Sequence, residues 1–491
     1  MFNLRRPSPH ALAVGLLVAV GIYIRLVGNA FDPVGLWGDE AVWAERLLTK
    51  PLSELSIRPI AFMWLVRSSI ELFGLSEFTL RLVSTIGGIG TLLLAPYLSR
   101  RILRSSSCQL IFIAIIAFHP ALVDLSKEFK PYAWEVFVHA SVLGLALRYE
   151  QKRNPWLALA LVVALPLLFL SAYNITFAYP GIYLLFFGRA VIQARRRTPR
   201  ARLAIATTVL SAVVALAAVG GLYKTSMKPA TTKKTSSFWA KKYSSFYVEP
   251  STRPKRSASS ASRSRVYFTA VKYFHTTAFP GKTRNPWNMR RPDVEASLVS
   301  EPVIREMRGF DYVWWAALHL AGLIGFTRLR RWDRLLLLWL PLLVLAALGA
   351  LGKWPPGAFR TNTFLILHVT LIGLWGLEYM TGHWPPRRAA AQAPRSSSAD
   401  DTPPKSNETS SVRPDEPPPP FAAPTRRGRW SLALGAVTTV ILTIVPQLIF
   451  DPHLYATKRW WTTNFYPTEI ADAVVRRNQL EEQSGEGSRA T

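Results

Sequence analysis

The chain has a single cysteine, Cys108, among 491 residues. An intrachain disulfide framework and a cysteine-rich metal site are therefore both excluded. Acidic residues are also scarce, 30 against 59 Lys and Arg. The eight histidines are scattered with no zinc-type spacing, and no glycine-rich phosphate loop or Ser/His/Asp order stands out. The formal charge of +29 would point to nucleic acid in a soluble protein. Here, however, the basic residues cluster at the ends of apolar blocks, where they set topology. No nucleic-acid partner is expected.

What the sequence has in quantity is apolar residue, 49% of the chain, in blocks of about twenty, the length that crosses a hydrocarbon core of roughly 30 Å. Spans are expected at 10–30, 78–98, 107–123, 132–149, 155–172, 174–192, 202–222, 311–327, 335–352, 361–380 and 430–450. The fold class is all-α polytopic membrane protein. Arg5 and Arg6 before the first block resemble a signal peptide, but the block is longer than a usual h-region and further spans follow it.

Lys and Arg favour the cytoplasmic side. The ends bearing Arg5 and Arg6, "RRILR" from Arg100, "RYEQKR" from Arg148, "RRRTPRAR" from Arg195, "RLRRWDR" from Arg328, and "RR" at Arg387 are assigned to it. The opposite set faces the periplasm or exterior. It holds the Asp39 loop, the turn His119 to Tyr132, a basic and aromatic segment over 223–310, the turn Gly352 to Asn362, and the tail 451–491. The protein is thus expected in the plasma membrane with a cytoplasmic N-terminus. Residues 1–380 form the core, 381–429 a disordered Pro/Ser-rich linker and 430–450 the last span. Segment 59–73 carries Arg67 and Glu71 and is too short to span comfortably, so it reads as an amphipathic interfacial helix.

Adjacent carboxylates stand in "GLWGDEAVWAERLL", Gly35 to Leu48. The plain reading is a helix N-cap by Asp39, with Glu40 favoured at the dipole. A cap needs only one carboxylate, which leaves an acid group over for chemistry. In "DLSKEFKPY", Asp124 to Tyr132, Lys127 and Lys130 oppose the topological charge bias, as do Arg58 before Pro59 and Lys353 with Arg360 in "GKWPPGAFRTN". Snorkelling at helix ends is one explanation. Convergence on a phosphate is the other, Arg by bidentate contact and Lys as a point charge. The aromatics between cations in 223–310 would suit sugar rings or lipid headgroups.

The stretches "GDEAVWAERLL", "IRPIAFMWLVRSSIELFGLSEFTLRLVSTIGGIGTLLLAPYLSRRIL", "SKEFKPYAWEV" and, more faintly, "PPGAFRTNTFLIL" resemble membrane glycosyltransferases of the GT-C type. That group includes protein O-mannosyltransferases and lipid A aminoarabinose transferases. The resemblance runs through roughly the first 190 residues and is loose beyond. It implies a GT-C fold of about 11 transmembrane helices, with two juxtamembrane helices in the first outward loop. It also implies a sugar donor on polyprenyl phosphate, Asp39 as base with Glu40 beside it, and phosphate contact by Arg58, Lys130 and Arg360, with Lys127 as a further candidate. Glu128, Tyr132 and Lys353 are possible acceptor or donor contacts. Some relatives use a divalent metal; with one acidic pair visible, none is expected here. The rival function is a transporter or flippase of an anionic lipid-linked substrate. It would need ionisable residues in mid-span, and no acid or base pair is read between 78 and 222. The acceptor stays open among lipid, glycan and protein.

Overall fold

A computed structural model describes residues 8–27, 36, 38–55, 59–152, 155–195, 201–222, 224, 301–350, 362–382 and 426–443. Most of the 223–310 segment, the 381–429 linker and the 451–491 tail lie outside these residues. The described part is all-α. Its helices are α1 (Pro9–Leu26), α2 (Gly38–Thr49), α3 (Ile60–Phe73), α4 (Glu77–Ile102), α5 (Ser106–Phe118), α6 (Pro120–Ser126) and α7 (Tyr132–Lys152). They continue as α8 (Pro155–Ser171), α9 (Tyr179–Arg195), α10 (Ala201–Leu222), α11 (Glu301–Arg328), α12 (Trp332–Ala350), α13 (Leu365–Met380) and α14 (Arg426–Thr443).

Among the described residues each apolar block holds a helix, and two of the blocks carry a break that the sequence did not show. The block 107–123 divides into α5 and α6 at His119 and Pro120. Pro120 has no amide hydrogen to continue the ladder, and the His119 imidazole accepts the Ala121 N–H at 3.2 Å. The C-terminus left at the break is capped from α1. Buried Arg25 donates to the carbonyls of Ile116 at 2.7 Å and Ala117 at 3.0 Å. Segment 174–192 likewise opens with a 3-10 turn, Tyr173–Phe177, before α9.

Helices α1 and α4 are each long and apolar enough to cross a bilayer, and α5 and α13 are shorter apolar helices. Leu12 and Leu16 of α1, Leu167 of α8, and Leu210, Val213 and Leu216 of α10 remain exposed. Such apolar faces are expensive in water and natural against lipid. The chain is a polytopic membrane protein.

Helices in lipid gain little from the hydrophobic effect when they associate, so close contact through small residues matters. A Cβ on Gly87 of α4 would stand 2.6 Å from the Trp134 Cα of α7. One on Gly376 of α13 would stand 1.9 Å from the Leu318 carbonyl oxygen of α11. Backbone therefore meets backbone at both crossings. At the arginine-rich end the α4–α5 turn is satisfied by side chains from two other helices. The Glu378 carboxylate of α13 accepts the N–H groups of Arg104 at 2.9 Å and Ser105 at 2.7 Å. Arg334 of α12 donates to the carbonyls of Arg101 at 3.0 Å and Ile102 at 3.2 Å. Beside it, burial alone would raise the Asp333 pKa, but the hydrogen bond from Arg331 and the charges of Arg331 and Arg334 outweigh it and hold that carboxyl below its usual range.

The two crossings yield a test. Gly376→Val forces a clash with backbone and costs about 1–3 kcal/mol by overpacking, whereas Gly188→Val meets open space. Thermal unfolding of the detergent-solubilised full chain should show a clearly lower midpoint for the first variant and no loss for the second.

Candidate functional site

The candidate site lies at the end of the bundle opposite the Glu378 clamp, where α2, α3, the start of α4 and the α6–α7 turn meet. These elements share a small core of their own, built from Leu36, Ala44, Leu47, Phe62, Met63, Leu80 and Phe129 among others. Phe129 is its pivot. Its ring stacks on Phe62 of α3 with centroids 6.4 Å apart and meets Trp43 of α2 edge-on at 6.2 Å.

Through the middle of this core runs a buried ion pair. Arg81 of α4 donates from Nε to one Glu40 oxygen at 3.2 Å and from a terminal nitrogen to the other at 2.8 Å, and both side chains are fully buried. The same carboxylate accepts the Phe129 N–H. One acid group thus ties α2, α4 and the α6–α7 turn together. Two other residues of α4 pin that turn on either side. Thr85 donates to the Ser126 carbonyl at 3.0 Å and Ser84 to the Lys130 carbonyl at 2.6 Å. Three anchors within five residues fix the backbone of 126–130.

That fixed turn carries Lys127, Glu128 and Lys130, all buried. The snorkelling explanation for the lysines does not hold, since neither reaches solvent. The Lys130 Nζ sits 3.8 Å from the centroid of the Trp43 ring, a cation–π contact with little water to weaken it. Tyr132 opens α7 and is half-buried.

Asp39 and Glu40, adjacent in the chain, take up different positions. Helix α2 begins at Gly38, so Asp39 lies inside the first turn and is not the N-cap expected of it. A carboxylate there still suits the positive end of the dipole. The Asp39 side chain, Arg58, Lys353 and Arg360 lie outside the described residues. Arg58 is followed directly by buried Pro59 and α3, and Arg360 stands two residues before buried Asn362, which precedes α13. The structure thus brings Glu40, Lys127, Glu128 and Lys130 to one core, and the expected partners fall on chain segments adjoining described elements.

Two groups went unread in the sequence. One is Arg81, the partner of Glu40. The other group is polar and lies deeper. Glu135 and His139 occupy the first two turns of α7, and Glu135 accepts from the Asn174 side chain at 2.8 Å. His139 stacks on Phe364 at 4.0 Å and faces His368 of α13 at 6.0 Å. All four polar side chains are buried. No acid or base pair is read in the sequence between 78 and 222; Glu135 and His139 are single ionisable groups there, and their polar neighbours are Asn174 and His368. Glu135 and His139 are four apart and share one helical face, which was the available signal. Among the described residues no group of three His, Cys, Asp or Glu side chains could hold a metal.

The described residues define an all-α membrane bundle with a buried ion pair and buried lysines at one end. Residues 57–220 match the family model described as dolichyl-phosphate-mannose-protein mannosyltransferase, and that segment therefore carries the pattern of a membrane glycosyltransferase family of the GT-C type. The match includes Arg58, Arg81, the Lys127–Tyr132 turn and Glu135. No curated protein matches the sequence. Two solved structures of ArnT from Cupriavidus metallidurans are similar to the chain at 16% identity. The apo form has a TM-score of 0.33, with 74% of this chain and 77% of that one covered; the form bound to undecaprenyl phosphate has 0.32, with 75% and 78%. Likeness at that level is too loose to carry a functional argument.

The ion pair makes a strong demand on stability. Removing one partner leaves a buried charge uncompensated, at a cost of about 3–5 kcal/mol. Arg81→Met should therefore sharply reduce the yield and thermal midpoint of folded protein, and Glu40→Gln should do so too, because it leaves the buried Arg81 charge uncompensated although its amide oxygen can still accept from Phe129. Equal midpoints for wild type and Arg81→Met would remove the pair from the account of the site.

Proposed function

We propose that the chain is an integral membrane glycosyltransferase that moves a sugar from a polyprenyl-phosphate donor to a hydroxyl on the outer face of the plasma membrane, with inversion at the anomeric carbon. The observation that carries this reading is the meeting of two things in one place. The mannosyltransferase family pattern covers 57–220, and Arg81 inside it pairs with Glu40, which precedes it, fixing the helix bearing Asp39 against the turn bearing Lys127 and Lys130. The family's description supplies the donor chemistry. That description names mannose and a protein acceptor for the family; for this chain the proposal commits to no particular sugar, hexose or pentose, and to no particular acceptor, lipid, glycan or protein.

In this mechanism Arg58, Lys127 or Lys130, and Arg360 hold the donor phosphate. As the bond between the anomeric carbon and the phosphate oxygen breaks, the electron pair stays on phosphate, and the cations stabilise that charge. The acceptor oxygen attacks the opposite face of the carbon and gives its proton to Asp39. Neighbouring cations favour the ionised form that Asp39 needs. Glu40 has a different task in this scheme. Its carboxylate is held by Arg81 and Phe129, so it positions the base and the cation turn without accepting the proton. Glu128, Tyr132 and Lys353 are left to contact the donor head or the acceptor. The scheme requires no divalent metal.

The polar group at Glu135, Asn174, His139 and His368 favours one second reading, transport of an anionic lipid, because buried ionisable residues within spans often line a path. The two readings part on product. Proteoliposomes holding the full chain, given a polyprenyl-phosphate sugar and acceptor extract, should release polyprenyl phosphate if sugar is transferred. Movement of intact donor between leaflets without release would favour transport.

The base assignment is tested by Asp39→Asn. Transfer should fall by about 10²-fold or more, the scale at which general base catalysis operates, while expression and thermal midpoint stay at wild-type values. In parallel, Arg360→Ala should weaken donor affinity. Near-normal turnover by Asp39→Asn would sink the base, and unchanged donor affinity would take Arg360 out of the phosphate site.

A further inference from the structure

A second place with chemistry of its own lies at the arginine-rich end of α4, far along the helix from Arg81. It is a pocket of about 490 Å³ lined by Leu93, Pro96, Tyr97, Arg100 and Arg101. The residues follow an order along α4. Leu93 is exposed and apolar, Pro96 lies one turn on, Tyr97 is half-buried, and the two arginines come last at the helix terminus. Apolar lining thus gives way to cationic lining over about two helical turns.

The pocket is a built feature on its inner side. The Tyr97 hydroxyl donates to the Gly144 carbonyl of α7 at 3.4 Å, and a Cβ on Gly144 would stand 3.4 Å from the Tyr97 ring. The ring is therefore seated against α7. The Arg101 guanidinium lies 5.0 Å from the centroid of that ring, which gives the cation a fixed perch. Two other arginines at this end have acidic partners: Arg189 pairs with Glu150 and Arg331 with Asp333. Neither Arg100 nor Arg101 forms an ion pair among the described residues. Arg148 is exposed and stands one helical turn beyond Gly144 on α7.

Two arginines merely snorkelling to the interface would need no cleft below them. Here cations with no acidic partner sit above an apolar slot that opens toward lipid, which is the polarity of an anionic phospholipid laid along the helix. We propose that this pocket holds one anionic phospholipid of the adjoining leaflet, its phosphate between Arg100 and Arg101 and an acyl chain along Leu93 and Pro96. Basic clefts between transmembrane helices recognise phospholipid headgroups by such means. The site is independent of the proposed glycosyl transfer.

Native mass spectrometry of the full chain in detergent, titrated with phosphatidylglycerol or phosphatidylcholine, tests it. Wild type should retain phosphatidylglycerol in preference to phosphatidylcholine. The paired substitution Arg100→Gln and Arg101→Gln should reduce that retention by about tenfold or more, given the worth of each cation near an anionic headgroup. Leu93→Trp keeps both cations, fills the apolar slot, and should lose the lipid as well. Three results would overturn the proposal: equal retention of the two lipids by wild type, wild-type retention in the arginine variant, or wild-type retention in Leu93→Trp, which would reduce the effect to headgroup charge alone.

Discussion

Two opposite charges can stay buried at the Asp39 end of the bundle because each holds the other. Glu40 and Arg81 meet in a two-point contact with no exposure to solvent, and the desolvation of both is offset only while that geometry lasts. The remaining acceptor capacity of Glu40 is spent on the Phe129 N–H. A juxtamembrane helix, a long span and a turn far along the sequence are thereby locked in one arrangement. The small core around Phe129, Phe62 and Trp43 closes over this arrangement, so that packing and electrostatics enforce the same register.

From that constraint the division of labour in the acidic pair follows. Glu40 has its oxygens committed to protein groups, whereas Asp39 stands one residue earlier in the first turn of the same helix. The turn 126–130, held by Glu40, Thr85 and Ser84, presents buried lysines that a solvated loop could not hold still. In the proposed reaction, rigidity at this floor is what lets a few cations stabilise charge on a leaving phosphate, since preorganised charges need not rearrange as the bond breaks.

Much of the helical layout was legible because apolar blocks of spanning length leave few alternatives. The juxtamembrane helix was legible from Arg67 and Glu71 in a short apolar run, and it is α3, Ile60–Phe73. What escaped the sequence depended on contact between distant residues. The break at His119–Pro120 is stable because Arg25, some ninety residues earlier, caps it. Arg81 carries no signal of its own in the sequence; its role depends on Glu40, some forty residues earlier. Glu135 and His139 are visible as a polar stripe, but their meeting with Asn174 and His368 depends on how α7 packs against the 3-10 turn and α13. Lys127 and Lys130 were legible as exceptions to the charge bias, though not as buried groups.

The central claim is that the donor phosphate sits against the floor built on Glu40 and Arg81. Photocrosslinking addresses it directly, using the full chain in proteoliposomes and a polyprenyl phosphate that bears a photoreactive group beside the phosphorus, with adducts mapped by peptide mass spectrometry. Adducts should fall in peptides containing residues 36–58, 127–132 and 353–362. Adducts confined to the arginine-rich end, around Arg100 and Arg101, would contradict the account.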